Sequence, residues 1–496
     1  MIVLFKRKTF YVITITCLLL LVVFPTESRL QPEAGFNHYR QKIYTLNDEN
    51  IMGEVWSPDG SQVAYVSCPD GQAWNCDLKV ADWNLRNAKV IYTGIAYYGL
   101  MDWQGDWLLI MPLLQEGYPT SYYGQNELFK IRSDGTDLTQ LTFSQCPTTG
   151  WVYDYRGRVS WGKFLPGKDQ IYFSMHDCNG WYQPYVASDD GNFQLQSLGP
   201  GYSFTIGMSR SGNTLTWGDA SYWNNPTSLY ASTWNEDHFT SGTLLQSFPI
   251  RVWSLPLVDE STIILSWSNG DIRAINADGS DFRVVIEDGY TNNFEDSHPI
   301  DGQAFTMRSN RAEDGNTHIF KVNSDGSGII QLTDGNYNDI DSKYSPNGQY
   351  IMYRRLPVGE DPLPYPDSTP YQLVVKNVIV TEITNLINSV NSYVDSGVLT
   401  KWQGKYLTKI LEKARQTYDL SQFLSYWTPH DWKNMRHYSF GKSHFSKHFD
   451  NNYYINQMFN QFIYKVNWYV KKGMLSTEQG QTLIRPSNAI KLVLNA

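Results

Sequence analysis

The sequence predicts a mainly β protein: a β-propeller followed by a C-terminal all-α domain. The first observation is a turn signal followed by an alternating apolar strand, which recurs at roughly 40–50 residues, as in repeated four-stranded blades. The second is a change of apolar period from 2 to 3.6 at about Thr381, where helices are expected to begin. The third is composition, because 41% hydrophobic and 15% aromatic residues exclude a disordered chain and 37 glycines supply many turns.

Each repeat unit is predicted to contain two hairpins. The first begins at a turn such as Trp56-Ser57-Pro58-Asp59-Gly60 and continues into the strand Val63-Ala64-Tyr65-Val66. The second has Asp-Gly between short alternating strands, as at Asp134, Asp278 and Asp325. Asp-Gly favours a tight hairpin turn in which both central residues have positive φ. Seven copies of the first turn begin at Trp56, Trp103, Leu165, Ser209, Val258, Pro299 and Tyr344.

The repeats predict the number of blades and the way the ring closes. Seven turn copies favour seven blades, and six is the alternative count because the copies at Trp103 and Val258 are weak. The last unit has only three strand candidates, the third at 371–375, before the helical pattern begins. The missing fourth strand is predicted at 42–46, so that the N-terminal strand completes the last blade. The propeller is assigned to residues 40–378.

Residues 380–496 are predicted to form a duplicated helical domain. A shift of 76 places 386–407 on 462–483 with ten identities among 22 positions, including both glycines of each copy. Gly397 is expected to stop the first helix, and Pro486 is expected to break the last one. The buried face of the first helix is predicted to contain Ile383, Leu386, Ile387, Val390, Tyr393 and Val394.

Two family resemblances follow from these motifs. The turns at 56–60 and 344–348 resemble those of TolB-type propellers, relatives of WD-repeat proteins with a Trp-Ser-Pro-Asp-Gly signature. This resemblance covers residues 40–378 and implies a fold, because the signature builds turns. The pattern of a helix, Gly-x-Leu and Gln-Gly before a second helix looks like the FIMAH-type helical domain. That resemblance implies an accessory or adhesive module.

The N-terminus predicts export. Lys6, Arg7 and Lys8 precede an uncharged, mostly apolar run of 15 residues from Phe10 to Phe24. Such a pattern is typical of a secretory signal peptide, and the run is shorter than the ~20 apolar residues of a membrane span. Residues 1–29 are therefore predicted to be a cleaved signal peptide or, alternatively, a signal-anchor that tethers the protein through residues 10–24. In both cases the body is expected to be secreted, periplasmic or on the cell surface.

Four cysteines follow the N-terminal segment: Cys68, Cys76, Cys146 and Cys178. An even number in an exported chain suggests two disulfides. Cys68 and Cys76 flank the turn Pro69-Asp70-Gly71 and could meet across a hairpin, which would leave Cys146 to pair with Cys178. Four cysteines allow three pairings, and buried free thiols are the alternative.

No catalytic or cofactor-binding constellation is visible in the sequence. A serine peptidase would need a Gly-x-Ser-x-Gly elbow and a long α/β region after the propeller, and the chain has neither. The net charge of -9 argues against a nucleic-acid partner. The negative charge is uneven, because the part from Thr381 onward carries 14 basic and 7 acidic residues. We expect no cofactor.

The histidines are the main candidate metal ligands, and the sequence leaves a metal site open. His444 and His448 have helical i, i+4 spacing, but only Asp450 stands near them as a further ligand, so that site is incomplete. Two more histidines of the same insert are His430 and His437. Four others are placed in different blades and are expected to be solvated turn residues: His176, His238, His298 and His318.

Acidic and aromatic residues complete the candidates. The turn aspartates lack the spacing of a calcium loop and are expected to shape hairpins. They are Asp134, Asp189, Asp190, Asp278 and Asp325. Six tryptophans in or near loops are expected either to bind sugar rings or protein partners, or to pack between blades. They are Trp74, Trp83, Trp151, Trp181, Trp223 and Trp234.

The favoured function is a non-catalytic exported scaffold that binds an envelope or extracellular protein or a glycan, since no catalytic site is visible. The alternative is a carbohydrate-active enzyme, a polysaccharide lyase or glycosidase with an accessory helical domain. That alternative requires two convergent carboxylates or a metal cluster at one end of the propeller channel.

Overall fold

The computed structural model describes residues 43–46, 50–68, 75–112, 127–143, 159–176, 182–190, 196–199, 203–220, 227–250, 252–254, 258–300, 302–358, 371–425 and 451–495. Within them the chain is mainly β, with four helices at its C-terminal end. No helix in these ranges is long and apolar enough to cross a membrane, and the apolar run 10–24 lies outside them.

The strands of the described residues form six antiparallel sheets. The longest sheet contains β2 (Asn50–Trp56), β3 (Gln62–Cys68), β4 (Cys76–Asp82), β5 (Lys89–Gln104), β6 (Trp107–Pro112), β7 (Phe129–Arg132) and β8 (Thr139–Gln140). The next contains β9 (Val159–Phe164), β10 (Gln170–His176), β11 (Tyr182–Ser188) and β12 (Gln196–Ser197). A five-stranded sheet contains β13 (Ser203–Met208), β14 (Thr214–Ala220), β15 (Thr227–Asn235), β16 (His238–Phe239) and β17 (Thr243–Phe248).

Three four-stranded sheets complete the β region. The first contains β18 (Val252–Ser254), β19 (Thr262–Trp267), β20 (Ile272–Asn276) and β21 (Arg283–Ile286). The second contains β22 (Asn292–Ser297), β23 (Ala304–Ser309), β24 (His318–Asn323) and β25 (Ile330–Gln331). The third combines β26 (Tyr337–Tyr344), β27 (Tyr350–Pro357) and β28 (Gln372–Asn377) with the N-terminal strand β1 (Ile43–Leu46).

The sheets form a propeller-like ring that the N-terminal strand helps to close. β1 pairs with β28 from Ile43 opposite Lys376 to Leu46 opposite Leu373, which confirms the predicted fourth strand of the last blade. The Trp56 indole donates a hydrogen bond to the Lys343 carbonyl (3.2 Å) and so joins β2 to β26. Apolar clusters fill the space between neighbouring sheets, as a propeller core requires.

The predicted count of seven blades is not confirmed. Five sheets are separate four- or five-stranded blades, whereas β2 to β8 form one continuous seven-stranded sheet. Its long middle strand β5 pairs with β4 through Lys89–Ile95 and with β6 through Ile95–Gln104. A single strand therefore serves two consecutive hairpin pairs, and no strand break separates them.

The Asp-Gly hairpins are real, but their turn type differs from the prediction. Only the glycine of each pair has positive φ: +90° at Gly135, +85° at Gly279 and +82° at Gly326. The Gly135 N–H donates to the Arg132 carbonyl (2.8 Å), as in a type I turn followed by a bulge. Asp134 accepts the Thr136 N–H at 2.9 Å and holds the turn.

The turn glycines also permit close approach of neighbouring sheets. A Cβ added at Gly135 would lie 2.7 Å from the Ile91 carbonyl oxygen, and one added at Gly326 would overlap the Val285 carbonyl. A turn of the first hairpins approaches its neighbour in the same way, since a Cβ added at Gly212 would lie 2.8 Å from Cδ of Pro166 in the turn between β9 and β10. Glycine is required at these turns for both its φ and its lack of a side chain.

The helices are α1 (Ile379–Asp395), α2 (Lys401–Ser425), α3 (Asn451–Lys471) and α4 (Thr477–Asn495). The predicted buried face of α1 lies in their common core. The prediction that Pro486 breaks the last helix is wrong, because α4 continues through it. The Ser487 hydroxyl donates to the Leu483 carbonyl (2.7 Å) next to the point where proline lacks an N–H.

The internal duplication produces two matching helix hairpins. Gln403 and Thr400 exchange backbone and side-chain hydrogen bonds in a capping box at α2, and Gln479 and Ser476 do the same at α4. A Cβ at Gly404 would overlap Val394, and one at the equivalent Gly480 would overlap Val470. The repeated Gln-Gly thus caps the second helix and lets it approach the first.

The helices pack directly on the propeller. Lys321 of β24 forms an ion pair with Glu382 of α1 at 2.9 Å, and their side chains are only 6% and 3% exposed. Asn377, at the end of β28, donates to the Tyr418 hydroxyl of α2 at 2.8 Å. Ile300, in the turn between β22 and β23, packs against the helical core. Propeller and helices therefore share buried apolar and polar contacts.

We predict that Gly326→Ala destabilises the protein more than Gly315→Ala. Both glycines have positive φ, +82° and +73°, but nothing lies within 4 Å of a Cβ at Gly315. Each substitution costs about 1–2 kcal/mol for the left-handed backbone, and Gly326→Ala adds about 1–3 kcal/mol for overpacking against Val285. Urea unfolding measures the difference, and equal losses for the two variants would contradict the proposed close approach.

We predict that Lys321→Met lowers the free energy of unfolding by about 3–5 kcal/mol, because it leaves the Glu382 carboxylate buried without its cation. The double variant Lys321→Met, Glu382→Leu should recover most of this loss, since an apolar pair can replace a buried ion pair. Urea unfolding of the single and double variants tests the coupling. A double variant as unstable as Lys321→Met would show that the buried charge is not the cause.

Candidate functional site

Four charged residues lie on first strands, the strands that line the central channel, or axis, of a propeller. They are Asp102 of β5, Lys163 of β9, Asp296 of β22 and Lys343 of β26. Lys163, Asp296 and Lys343 occupy the penultimate pair of their hairpins, opposite Tyr172, Thr306 and Met352. Asp102 is opposite Leu109, which is one residue pair further from the turn of its hairpin than in the other three strands. We call this set the charged ring.

The two acids of the charged ring make the same contact with the following first strand. Asp102 accepts the Phe164 N–H at 2.9 Å, and Asp296 accepts the Tyr344 N–H at 2.8 Å. Phe164 directly follows Lys163, and Tyr344 directly follows Lys343. The pair Asp102 and Lys163 therefore has the same arrangement as the pair Asp296 and Lys343. Both lysines act electrostatically on both aspartates, which places the four charges around one shared space.

A second layer of charges adjoins the charged ring. Glu54 is 1% exposed and forms ion pairs with Lys343 (3.5 Å) and Arg354 (3.6 Å). Arg354 also pairs with Asp341. Glu295 accepts the N–H groups of Asp341 (2.8 Å) and Ser342 (2.6 Å), one on each carboxylate oxygen. These contacts connect β2, β22 and β26 at the closing junction of the ring.

Enclosure at the axis raises the pKa of the carboxyl groups. Desolvation raises the pKa of Glu295 to about 7, against the charge of Arg308 and the hydrogen bonds from Ser342. It raises the pKa of Asp296 to about 6, against the Tyr344 N–H and the two lysines. The pKa of Asp102 is also raised by desolvation, against the charge of Lys163. The net charge at the axis therefore changes near neutral pH.

Lys163 is the ring member best placed to bind a ligand. It is half-buried, and its ammonium lies 5.4 Å from the centre of the Trp161 ring. The carboxylates, in contrast, use oxygens to accept backbone N–H groups and so build the ring. Among the described residues, no three His, Cys, Asp or Glu side chains converge as metal ligands. The arrangement suits recognition of an anionic or polar group.

The disulfide candidates fall into two groups. Cys68 and Cys76 form a disulfide at the end of the β3–β4 hairpin. Their sulfur atoms join the last residue of β3 to the first residue of β4, as their position around the Pro69-Asp70-Gly71 turn suggested. Cys146 and Cys178 lie outside the described residues, and their pairing stays a prediction.

The propeller histidines do not converge, and three of the four differ from the prediction. His298 and His318 lie in the same sheet, at the ends of β22 and β24, and both are buried. Burial lowers the pKa of His298 well below its usual value, and its ring contacts Tyr344 at 4.6 Å. His318 lies between Asp314 (3.0 Å) and Asp339 (3.7 Å). Although burial alone would lower it, these carboxylates raise the pKa of His318.

The other two propeller histidines differ in exposure. His176 is buried at the end of β10, whereas the His238 ring is 57% exposed and contacts Asp237 at 2.7 Å. The expectation of a solvated turn residue is therefore confirmed for His238 alone. The four histidines of the C-terminal insert and Asp450 lie outside the described residues.

The turn aspartates make contacts that hold the structure together. Asp278 and Asp325 accept the Ser280 and Ser327 N–H groups, both at 2.9 Å, which confirms their role in hairpin turns. Asp189 pairs with Lys130 at 3.6 Å, and Asp190 accepts from the Ser188 hydroxyl at 2.6 Å.

Two of the six tryptophans lie in the described part. Trp83 packs between Tyr44 (5.2 Å) and Tyr350 (4.8 Å), and so joins two neighbouring sheets. Trp234 packs on Phe239 of its own sheet at 5.0 Å, and the ammonium of Lys168, from the turn between β9 and β10, lies 4.9 Å from the centre of its ring. For these two, packing is the confirmed alternative. Trp74, Trp151, Trp181 and Trp223 lie outside the described residues.

The charged ring was not predicted from the sequence. Its signal is a charged residue near the end of four of the first strands, visible only when the degenerate repeats are aligned on their hairpin pairs. Lys163 and Lys343 each stand directly before the aromatic residue that precedes the turn, Phe164 or Tyr344. Asp296 has the same position in its strand, where Ser297 precedes the turn. The second layer has no such signal, because Glu54, Glu295 and Arg354 occupy different strand positions.

We predict that Glu295→Gln flattens the dependence of stability on pH. Because the pKa of Glu295 is about 7 in the folded protein and 4.5 without burial, the folded state binds more protons between these values. Its contribution to stability therefore falls as pH rises through this range. Urea midpoints at several pH values test this, with the exposed Glu412→Gln as control. Equal slopes for wild type and Glu295→Gln would contradict the raised pKa.

Comparison with known proteins identifies no family for this chain. No protein-family model and no curated protein matches this chain. Among solved structures, it is similar to TolB from Acinetobacter baumannii, with 17% identity over 47% of this chain and 53% of that one, and a TM-score of 0.33. This chain therefore spans about half the length of TolB.

Two further structures cover more of the chain. The Cps50 (Swd1) β-propeller domain of Myceliophteria thermophila has 11% identity over 67% of this chain and 99% of that one, with a TM-score of 0.45. YCF48 from Cyanidioschyzon merolae has 10% identity over 68% and 98%, with a TM-score of 0.44.

Proposed function

We propose that the protein is a non-catalytic propeller scaffold outside the cytoplasm, which binds an envelope or extracellular protein or a glycan at the axis of its ring. The observation that carries this proposal is the use of the axial carboxylates. Asp102, Asp296 and Glu295 accept backbone N–H groups of the following first strand, which leaves the ammonium of Lys163 to contact a ligand. Such a ring is rigid and polar, as a recognition surface requires.

Export is part of this proposal. The Cys68–Cys76 disulfide supports an oxidising compartment. The basic residues and the apolar run at 10–24 support a signal peptide or a signal-anchor. The helical region, with its excess of basic residues, is proposed as a FIMAH-type accessory module from its two Gln-Gly hairpins.

We also propose that the ring has seven blades, two of which share β5. The seven predicted turns each join a first strand to a second one, including the turn between β5 and β6. The two halves of β5 pair with different partners around Ile95, as the outer strand of one blade and the inner strand of the next would do.

A carbohydrate-active enzyme is the second candidate, favoured by the raised pKa values of Glu295 (about 7) and Asp296 (about 6). A general acid needs a pKa near the working pH. Against this candidate, both oxygens of Glu295 already accept backbone N–H groups. Hydrolysis or lyase activity that is lost in Asp296→Asn would favour the enzyme.

We predict that Lys163→Met abolishes ligand capture without unfolding the protein, because it removes an axial charge but keeps the length of the side chain. A glycan array and a pull-down from envelope extract, with bound proteins identified by mass spectrometry, measure capture by the full chain. Lys405→Met, at an exposed position of α2, is the matched control. If both variants capture the same ligand as wild type, the axis is not the binding site.

A further inference from the structure

One face of α2 carries a row of lysines at every fourth position. They are Lys401, Lys405, Lys409 and Lys413, all of them exposed. Residues four apart lie on one side of a helix, so the four ammonium groups project together. The opposite side packs into the helical core through Leu407, Leu411 and Ala414. Over 401–415 the helix has five basic residues and one acid, Glu412.

These charges have no carboxylate partner in the described part of the chain. Within that part, the ion pairs of the helical region are Lys321–Glu382 and Arg485–Asp325, and neither includes α2. Like charges at i, i+4 spacing destabilise a helix by mutual repulsion. An anionic surface laid against α2 would relieve that repulsion.

A tryptophan stands among these lysines. Trp402 is 69% exposed, and its ring stacks on that of Tyr406 with 6.1 Å between the ring centres. With about 100° of rotation per residue, Trp402 falls inside the arc that the four lysines cover around α2. A large ring turned outward on a charged face is a feature of interaction surfaces.

The helix α3 continues this surface beside α2. The Lys465 ammonium lies 4.1 Å from the centre of the Trp468 ring and 5.5 Å from that of Tyr406, so it bridges the two helices. Tyr464, the preceding residue, is 71% exposed. Two exposed lysines follow at the end of the helix, Lys471 and Lys472. We call 401–413 of α2 together with 464–472 the basic aromatic face.

The internal duplication indicates that a helix hairpin can fold without such a face. At the offset of 76 residues, Glu478 of α4 stands where α2 has Trp402, and Arg485 stands where α2 has Lys409. The other three lysines match Thr477, Gln481 and Ala489. Arg485 pairs with Asp325 of the propeller at 3.5 Å, whereas the lysines of α2 face solvent. The two copies share their caps and their close helix contact but not the chemistry of this side.

We propose that the basic aromatic face binds the surface of a membrane that contains anionic phospholipids. Each lysine near such a surface adds to the attraction, and the row extends over about 18 Å of α2. Tryptophan and tyrosine rings lie at the level of the lipid headgroups, because they are apolar with one polar end. A soluble acidic polymer would use the lysines and leave the Trp402 ring in water. The face contains no member of the charged ring, so this proposal does not depend on the axial function.

Sedimentation with lipid vesicles tests this proposal. Residues 41–496 form one compact unit, so the chain from residue 30 contains that unit and lacks the apolar run 10–24. One set of vesicles contains equal parts of phosphatidylglycerol and phosphatidylcholine, and the other contains phosphatidylcholine alone. We expect this chain to bind the mixed vesicles at least about tenfold more tightly than the neutral ones, because the lysines are attracted by anionic headgroups.

Two variants assign the binding to the basic aromatic face. The double variant Lys401→Gln, Lys409→Gln should weaken binding to the mixed vesicles at least about tenfold, because it removes two of the four charges of the row. Trp402→Ala should weaken it at least about threefold with the charge unchanged, because the apolar surface of the ring is lost. The substituted side chains are exposed, so the melting temperatures should equal that of the wild type.

The matched control is Arg86→Gln, Lys89→Gln, which removes two exposed positive charges from the β4–β5 hairpin of the propeller. It should bind the mixed vesicles as the wild type does, and an equal loss in both double variants would show that only net charge matters. Equal binding to both kinds of vesicle, or full binding by Lys401→Gln, Lys409→Gln, would overturn the proposal. Loss in that variant with full binding by Trp402→Ala would overturn it in favour of a soluble acidic polymer.

Discussion

Close approach between the backbones of neighbouring blades is the constraint on which the rest of this structure depends. Gly326 faces the Val285 carbonyl with no room for a side chain, and Gly212 faces Pro166 of the preceding sheet in the same way. Such contacts fix the position of each hairpin relative to the next. Because the first strands are then held at matching heights, charged residues far apart in sequence can meet at the axis. Asp102 reaches Phe164, and Asp296 reaches Tyr344, by the same geometry.

The sequence contained most of this fold in local signals. The turn copies, the N-terminal closing strand and the duplicated helices follow from period and turn chemistry, which act over a few residues. The type of the Asp-Gly turn did not follow from these local signals. Asp134 stabilises its turn by accepting the Thr136 N–H, and only Gly135 needs positive φ. The continuous β5 was also hidden, since a strand can change partners without a turn residue that marks the change.

The axial site was less predictable for a physical reason. Its members are single residues on strands whose repeats have diverged, and their meaning depends on the register of four different hairpins. The buried pair Lys321–Glu382 was equally hidden, because its partners belong to a strand and a helix 61 residues apart. Polar residues in an apolar pattern indicate that a partner exists but not which one.

The two helix hairpins show which parts of a duplicated unit are constrained. Both copies keep the glycine that lets the second helix approach the first, Gly404 and Gly480, and both keep the capping glutamine beside it. The first copy is bound to the propeller through Glu382 of α1, so that part of its surface must match β24. At the positions that match Val380 and Thr384 of α1, the second copy has Asn456 and Asn460. A face that is released from packing on the propeller can therefore change its chemistry without loss of the helix hairpin.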